Sequence, residues 1–336
     1  MESSERFDLE SQSFQFQQYV LEDSSLIVDG LETECIPALC SASTHRGGLA
    51  GLVCRDIDED ARGKIVLLPI SRIHESIAVE ELAGRGAAGV LIYPNSGGML
   101  VGRVRYPSSS IPSLMVRRPL GRKLWKDSSK KEVHVALTIR ARTKKGFGRN
   151  LYATPRNGRA TSLFVAHRDS RPYSPGAIDN ASGTAFLLFL ASTINQPRFS
   201  LLSTDAEEYG LLGAHHFVST GSRMNSGTSV FNLDSIGSGQ LHLVGRSRAG
   251  SLSAKLNARI SSVAKGLSLT LPKLSTPRGS DCDVFLQEGF ESCWLRSYPT
   301  PTATTTDDTV AHIRQGVIAK CCRLLERVGV SSVAVP

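Results

Sequence analysis

Residues 201–217 read LLSTDAEEYGLLGAHHF and set two adjacent glutamates, Glu207 and Glu208, directly behind an apolar run. Adjacent carboxylates repel, and if the run is a buried strand both stand at its end near low-dielectric surroundings. The pattern recurs along the chain. SLFVAH ends in His167 with Asp169 two residues later, GAIDNASG carries Asp179 at the start of a helical pattern, and TSVFNLD ends in Asp234. An aspartate at a helix start is an ordinary N-cap, which accounts for Asp179 taken alone. It does not account for four consecutive cases, because carboxylates gathered in one crevice without compensation repel strongly. A bound divalent cation relieves that repulsion. Imidazole with carboxylates and no thiolate suits zinc and tolerates manganese or cobalt. His215 and His216 follow the glutamates instead of flanking one as in HExxH, so they are expected on the surface or in the packing of a short helix. His45, His74 and His134 are isolated in the sequence and form no cluster.

The elements that would position these residues alternate. From about residue 143 onward, SLFVAH, RFSLLSTD, TSVFNLD, QLHLVG, SLTLPKL and SCWLRS read as strands. ASGTAFLLFLASTI, GLLGAHHFV, SLSAKLNARISSVAKG, DCDVFLQEG and a long amphipathic DTVAHIRQGVIAKCCRLLERVG read as helices. That alternation predicts an α/β fold with a mostly parallel mixed sheet sandwiched by helices. Ligands of such sheets bind in the crevice at the carboxyl ends of the strands, where the acidic residues and His167 fall. Residues 25–142 predict a smaller α/β unit. KIVLLPI (64–70), HESIAVEELAGRG (74–86) and AAGVLIYPN (87–95) form strand, helix and strand, and SLIVDG (25–30) and VHVALTI (133–139) complete a small sheet. The division expected is an N-terminal segment over 1–24, the small unit over 25–142 and the main domain over 143–336.

The chain has 336 residues, 40% hydrophobic and 21% charged, an ordinary composition for a soluble globular protein. Its net charge of +8 is uneven: residues 1–40 are acidic and residues 117–149 strongly basic. The basic stretch offers only Trp125 and Phe147 as aromatics and holds no nucleic-acid motif, so a solvated face or linker is expected rather than nucleic-acid binding. The seven cysteines have irregular spacing and no CxxC pair, which argues against a disulfide scaffold or thiolate zinc site. No apolar run reaches the roughly 18–20 residues that span a bilayer. MESSERFDLE is the opposite of a signal peptide, so the expectation is a cytoplasmic protein off the membrane, or a secreted one if the N-terminus is shortened.

Taken in order, HRDS, PGAIDNASG, DAEEYGLLGAHHF, NLDSIG and GSDCDVFLQEGF resemble the co-catalytic zinc aminopeptidase family, which includes the bacterial leucine aminopeptidases, glutamate carboxypeptidase and the transferrin receptor. The similarity covers residues 143–336. GKIVLLPI and GRGAAGVLIYPN in 25–142 resemble the protease-associated domain that many members carry. The resemblance implies a zinc-dependent exopeptidase, most simply an aminopeptidase on peptide substrates. It implies His167 and Asp234 as ligands of a first zinc, Asp179 as the carboxylate bridging two zincs, and Glu208 as a ligand of the second. It implies Glu207 as general base, and Asp169 as the carboxylate that orients the histidine's other ring nitrogen.

The match departs at one position. The family's second zinc takes a histidine in a stretch reading roughly HTxxDT, and this chain reads TTTDDT (304–309), with Thr304 in the histidine's place and no histidine between His242 and His312. The family's serine–aspartate–histidine triplet reads Ser280, Asp281 and Cys282 here. The first zinc site is therefore complete and the second keeps only Asp179 and Glu208. Three readings follow: a weakly held second metal completed by water or Asp307, an enzyme that runs on one metal, or a non-catalytic member that binds peptides or partners. His312 could substitute only if the final helix unwound. A glutaminyl cyclase activity ranks lower, because its single zinc is placed at the site that lacks the histidine. Substrate preference and oligomeric state are not legible at this level.

Overall fold

A computed structural model describes residues 6–330 except 58–59, 71–74, 95–97, 158, 221–223 and 226. His74 lies outside the described residues. In the N-terminal half the strands are β1 (Phe7–Val28), β2 (Leu31–Thr33), β3 (Ile36–Pro37), β4 (Leu49–Arg55), β5 (Ile65–Ile70), β6 (Gly89–Pro94) and β7 (Ser113–Met115). Two helices, α1 (Glu75–Gly84) and α2 (Arg118–Ser128), pack among them. A long β8 (His134–Pro155) leads into β9 (Ser162–His167), α3 (Ser182–Thr193), β10 (Phe199–Thr204), α4 (Leu212–Ser219) and β11 (Ser229–Leu233). The chain closes with β12 (Gln240–Ser247), β13 (Gly250–Ser251), α5 (Ala254–Gly266), β14 (Lys273–Ser275), α6 (Cys282–Gln287), β15 (Ser292–Tyr298) and α7 (Gln315–Val330).

The strands join in the order β13-β12-β15-β11-β9-β10-β8-β4-β5-β6-β7-β3. β15, β11, β9 and β10 run parallel, as do β4 to β7, while β8 pairs antiparallel with both β10 and β4. The sheet is thus mixed, as the alternation of strands and helices implies. Successive residues of a strand point to opposite faces. Phe164 and Ala166 of β9 accordingly enter one core with α3, α5 and α7, through Leu190, Leu256, Ile260, Leu324 and Leu325. Leu163 and Val165 enter the opposite core with Ala214 and Phe217 of α4 and Phe285 beyond them. Both faces are covered, so these strands are apolar at nearly every position.

β1 and β8 are longer than their apolar patterns foretell. They pair antiparallel over most of their length, from Phe7 opposite Pro155 to Val28 opposite Val135. SLIVDG and the alternating SQSFQFQQYV therefore belong to one strand, and the expected junction at 142/143 falls inside β8. This pairing sets the acidic N-terminus against the basic stretch and the end of β8: Glu22 meets Arg142 at 2.6 Å and Asp8 meets Arg156, just past β8, at 2.9 Å, while Glu34 meets Arg117 at 2.6 Å just beyond the ribbon. Gly148 is needed there, since a Cβ on it would lie 2.3 Å from the Phe14 ring. Two readings of detail are corrected. SLTLPKL is a strand only over its end, at β14. The long final helix is broken, a single 3-10 turn over Val310–His312 preceding α7, so His312 is not on the last helix. Among the described residues no helix is long and apolar enough to cross a membrane.

Candidate metal centre

β9 lies between β10 and β11, and the chain visits β10 on one side of it before β11 on the other. This is the topological switch point of an open α/β sheet, where a crevice forms at the carboxyl ends. His167 is the last residue of β9, Glu207 and Glu208 follow β10, and Asp234 follows β11. Ala206 (φ 55°) and Ser235 (φ 57°) take left-handed backbone beside these carboxylates. Such non-glycine residues cost about 1–3 kcal/mol each and persist where the surrounding structure over-determines them.

His167 Nε2 stands 3.2 Å from Asp179 Oδ1 and 3.7 Å from Asp234 Oδ1. Ligand atoms of the three residues all lie within 4.8 Å of one another. Tetrahedral zinc with nitrogen and oxygen ligands at their usual bond lengths puts neighbouring donors about 3.3 Å apart, so the three residues fit such an ion. Burial alone would lower the imidazole pKa, but Glu207, Asp169, Asp179 and Asp234 around it hold it well above the ordinary histidine value.

Each member of the centre is held from behind. Asp308 accepts the Ile178 and Asp179 amides at 2.7 and 3.1 Å, fixing the backbone that carries Asp179. Asp234 accepts hydrogen bonds from Ser280 and Ser235, and Asn232 in turn donates to Ser280 at 2.7 Å. Burial would raise the Asp234 pKa; His167, Arg296 and Ser280 outweigh it and hold the group below the usual carboxylate range. Asp281 is buried beside Thr204, which donates to it, and burial pushes its pKa up to about 7. Cys282, in the place of the triplet's histidine, is fully buried.

Asp169 meets both His167 and the glutamate loop. His167 Nδ1 bonds the Asp169 backbone carbonyl at 3.0 Å, while the nearer carboxylate oxygen is 3.6 Å away. The carboxylate instead accepts the Glu207 and Glu208 amides, one on each oxygen, both at 3.1 Å. One residue therefore fixes the histidine ring through its backbone and the glutamate loop through its side chain. Arg103 holds the other side of that loop by donating to the Glu207 and Glu208 carbonyls at 3.3 and 3.0 Å. Asp169→Asn replaces one acceptor with an NH₂ group facing an amide N–H. The expected result is a loss of about 10–100-fold in activity or metal affinity, read by metal titration alongside kcat/KM.

Glu207 and Glu208 are both buried, and they line the cleft with Asp179 and Asp234. Burial raises the Glu207 pKa well above the ordinary glutamate value; Glu208, Asp234 and Asp281 add to this, against the pull of His167. Glu208 has a partner the sequence reading did not foresee: Arg171 Nε lies 2.6 Å from its Oε2, and both side chains are buried. A cation placed about 4 Å from a fixed positive charge near a protein surface is opposed by about 4 kcal/mol per unit charge. Thr304 is buried with its backbone in the left-handed region, and its carbonyl accepts the Val101 amide at 2.9 Å. The residues of a second site do not fit a second ion. Asp307 is exposed and lies against Gly98, and His312 is exposed and hydrogen-bonded to Thr309, so neither fills the gap. His215 is exposed on α4, and His216 packs its ring against Phe14, centroids 5.1 Å apart and tilted by 31°.

Sequence reasoning passed over Arg171, although an arginine two residues past Asp169 in HRDSR is a visible signal. Asp308 was noticed only as part of TTTDDT. Arg103 carries no local signal, because its partners are carbonyls more than a hundred residues away.

The fold and the centre define an α/β protein with an imidazole–carboxylate metal site at its switch point. The profile of Peptidase family M28 matches residues 150–328, and the chain belongs to that family. It is 30% identical over 216 residues to the aminopeptidase YwaD of Bacillus subtilis, covering 59% of this chain and 46% of that protein. Against a probable leucine aminopeptidase 2 of Aspergillus fumigatus it is 28% identical over 226 residues, 61% of this chain and 44% of the relative. The chain spans less than half the length of these relatives. Its fold is similar to that of a zinc aminopeptidase from Bacillus subtilis (TM-score 0.71, 22% identity, covering 96% of this chain and 84% of that one). It is similar too to a peptidase M28 precursor from Shewanella amazonensis (TM-score 0.77, 16% identity, 100% and 87%).

Proposed function

We propose that this chain is a metal-dependent exopeptidase that removes N-terminal residues from peptides, with zinc held by His167, Asp179 and Asp234. The observation that carries this reading is the grouping of those three donors within 4.8 Å of one another, two of them lining one cleft with the buried Glu207. The names of the two sequence relatives, an aminopeptidase and a probable leucine aminopeptidase, support it. Zinc bound there would supply Lewis-acid polarisation of the scissile carbonyl and lower the pKa of water. Glu207, whose pKa burial raises above the ordinary glutamate value, accepts a proton from the attacking water and returns it to the leaving amine. Asp169 and Arg103 keep its loop in register, and Ser280, Ser235 and Asp308 keep the donors aimed. Residues 25–142, on this reading a protease-associated domain, reach the cleft through Arg103.

The test is metal removal. Treatment with a chelator should abolish hydrolysis of a panel of aminoacyl anilides, and zinc should restore it in proportion to metal bound. Metal-loaded protein that turns over no member of the panel, nor any short peptide, would favour a non-catalytic binding role instead.

A further inference from the structure

We propose that the Arg171 guanidinium stands in place of the second metal ion, so that the chain takes one divalent ion, at His167, Asp179 and Asp234, and Glu208 serves Arg171 instead of a metal. The inference rests on the metal-centre reading of the first site but not on any catalytic activity. Its first support is the ion pair itself. Arg171 is 7% exposed, and its Nε lies 2.6 Å from Glu208 Oε2. A carboxylate engaged this way by a buried guanidinium has a charge-assisted partner already in place. Glu208 Oε1 is buried without a hydrogen-bond partner among the described residues. One open oxygen beside a fixed positive charge, with no imidazole at position 304, is a poor divalent site.

The second support is that the two departures are tied together. Arg171 also donates to the Val101 carbonyl at 2.8 Å, and the amide of the same Val101 donates to the Thr304 carbonyl at 2.9 Å. The residue that brings a positive charge and the residue that removes a ligand thus meet through the backbone of one residue, Val101. Around them, Thr306 donates to the Met99 carbonyl at 3.0 Å, and Leu100 bridges Thr305. The segment 99–103 is in this way laid along the loop 304–306 and against Glu208. The third support is charge. Arg171 leaves Glu208 compensated without an ion, and the first site's two carboxylates then balance a single divalent cation.

The experiment is a count of metal per chain, by elemental analysis of the purified protein and by zinc titration of the chelator-treated protein, with no substrate present. The expected result for the wild type is one equivalent; two equivalents of comparable affinity overturn the proposal. Glu208→Gln in the wild-type background should still bind one equivalent with unchanged affinity, and loss of an equivalent overturns it. The double variant Arg171→Met/Thr304→His, with circular dichroism and thermal unfolding like the wild type, should gain a second equivalent. A folded double variant that stays at one shows that these residues do not set the count. Because the readout is stoichiometry, one ion without hydrolysis defeats the exopeptidase reading and leaves this inference standing. Hydrolysis with two ions defeats this inference alone.

Discussion

Glu207→Gln is expected to lower kcat/KM by about 10²–10⁴-fold while metal content stays at the wild-type level. The amide keeps the size and most of the packing of the carboxylate, so the cleft has no reason to collapse. It cannot take up a proton from water. The side chain is not among the three donors that converge at zinc spacing, so the ion should remain. Burial and neighbouring carboxylates raise the Glu207 pKa, which sets the wild-type direction with pH: activity should grow as pH rises through that elevated value, above the ordinary glutamate value of about 4.3. The glutamine variant should lose that acid limb. Steady-state kinetics on an aminoacyl anilide with metal analysis of the same sample decides the matter. A variant retaining more than a tenth of wild-type kcat/KM would sink the assignment of Glu207.

His167→Ala should empty the site. It removes the only imidazole among the three donors and leaves Asp179 and Asp234 facing each other, so tight zinc binding and hydrolysis both go. A metal titration that still finds one tight equivalent would place the ion elsewhere. The same variant changes how the metal-free chain responds to pH. The folded pKa of His167 is raised by its carboxylates, so its contribution to stability is fully present below the unfolded value of about 6.5. That contribution is lost as pH rises through the higher folded value. Chelator-treated wild type should therefore lose Tm over that interval, and the alanine variant should not show that step.

Much of this was legible in the residues. β9 ends at His167 as its apolar run implies, and α3 begins where GAIDNASG places a helix start, because a strand buried on both faces leaves a continuous apolar signature. The long ribbon of β1 and β8 was legible only in part. QSFQFQQYV and RARTKKGFGRN have few apolar side chains, and their pairing depends on each other rather than on a core. The charge asymmetry between the acidic N-terminus and the basic stretch, read at first as a solvated face, is in good part that pairing seen in one dimension.

The sequence by itself determined which residues carry the chemistry and that they stand at strand ends, since strand periodicity and the run of carboxylates are local properties. Tertiary structure decided what each does. Asp169 holds the glutamate loop by its side chain and the histidine by its backbone, a division that depends on where β9 and β10 finish side by side. Glu208, adjacent to Glu207 in the chain, is turned onto Arg171, and Arg171 is joined through Val101 to Thr304. Those contacts link positions 37 to about 200 residues apart, and no local pattern records them, because the charge of a cleft is set by what the fold brings into it.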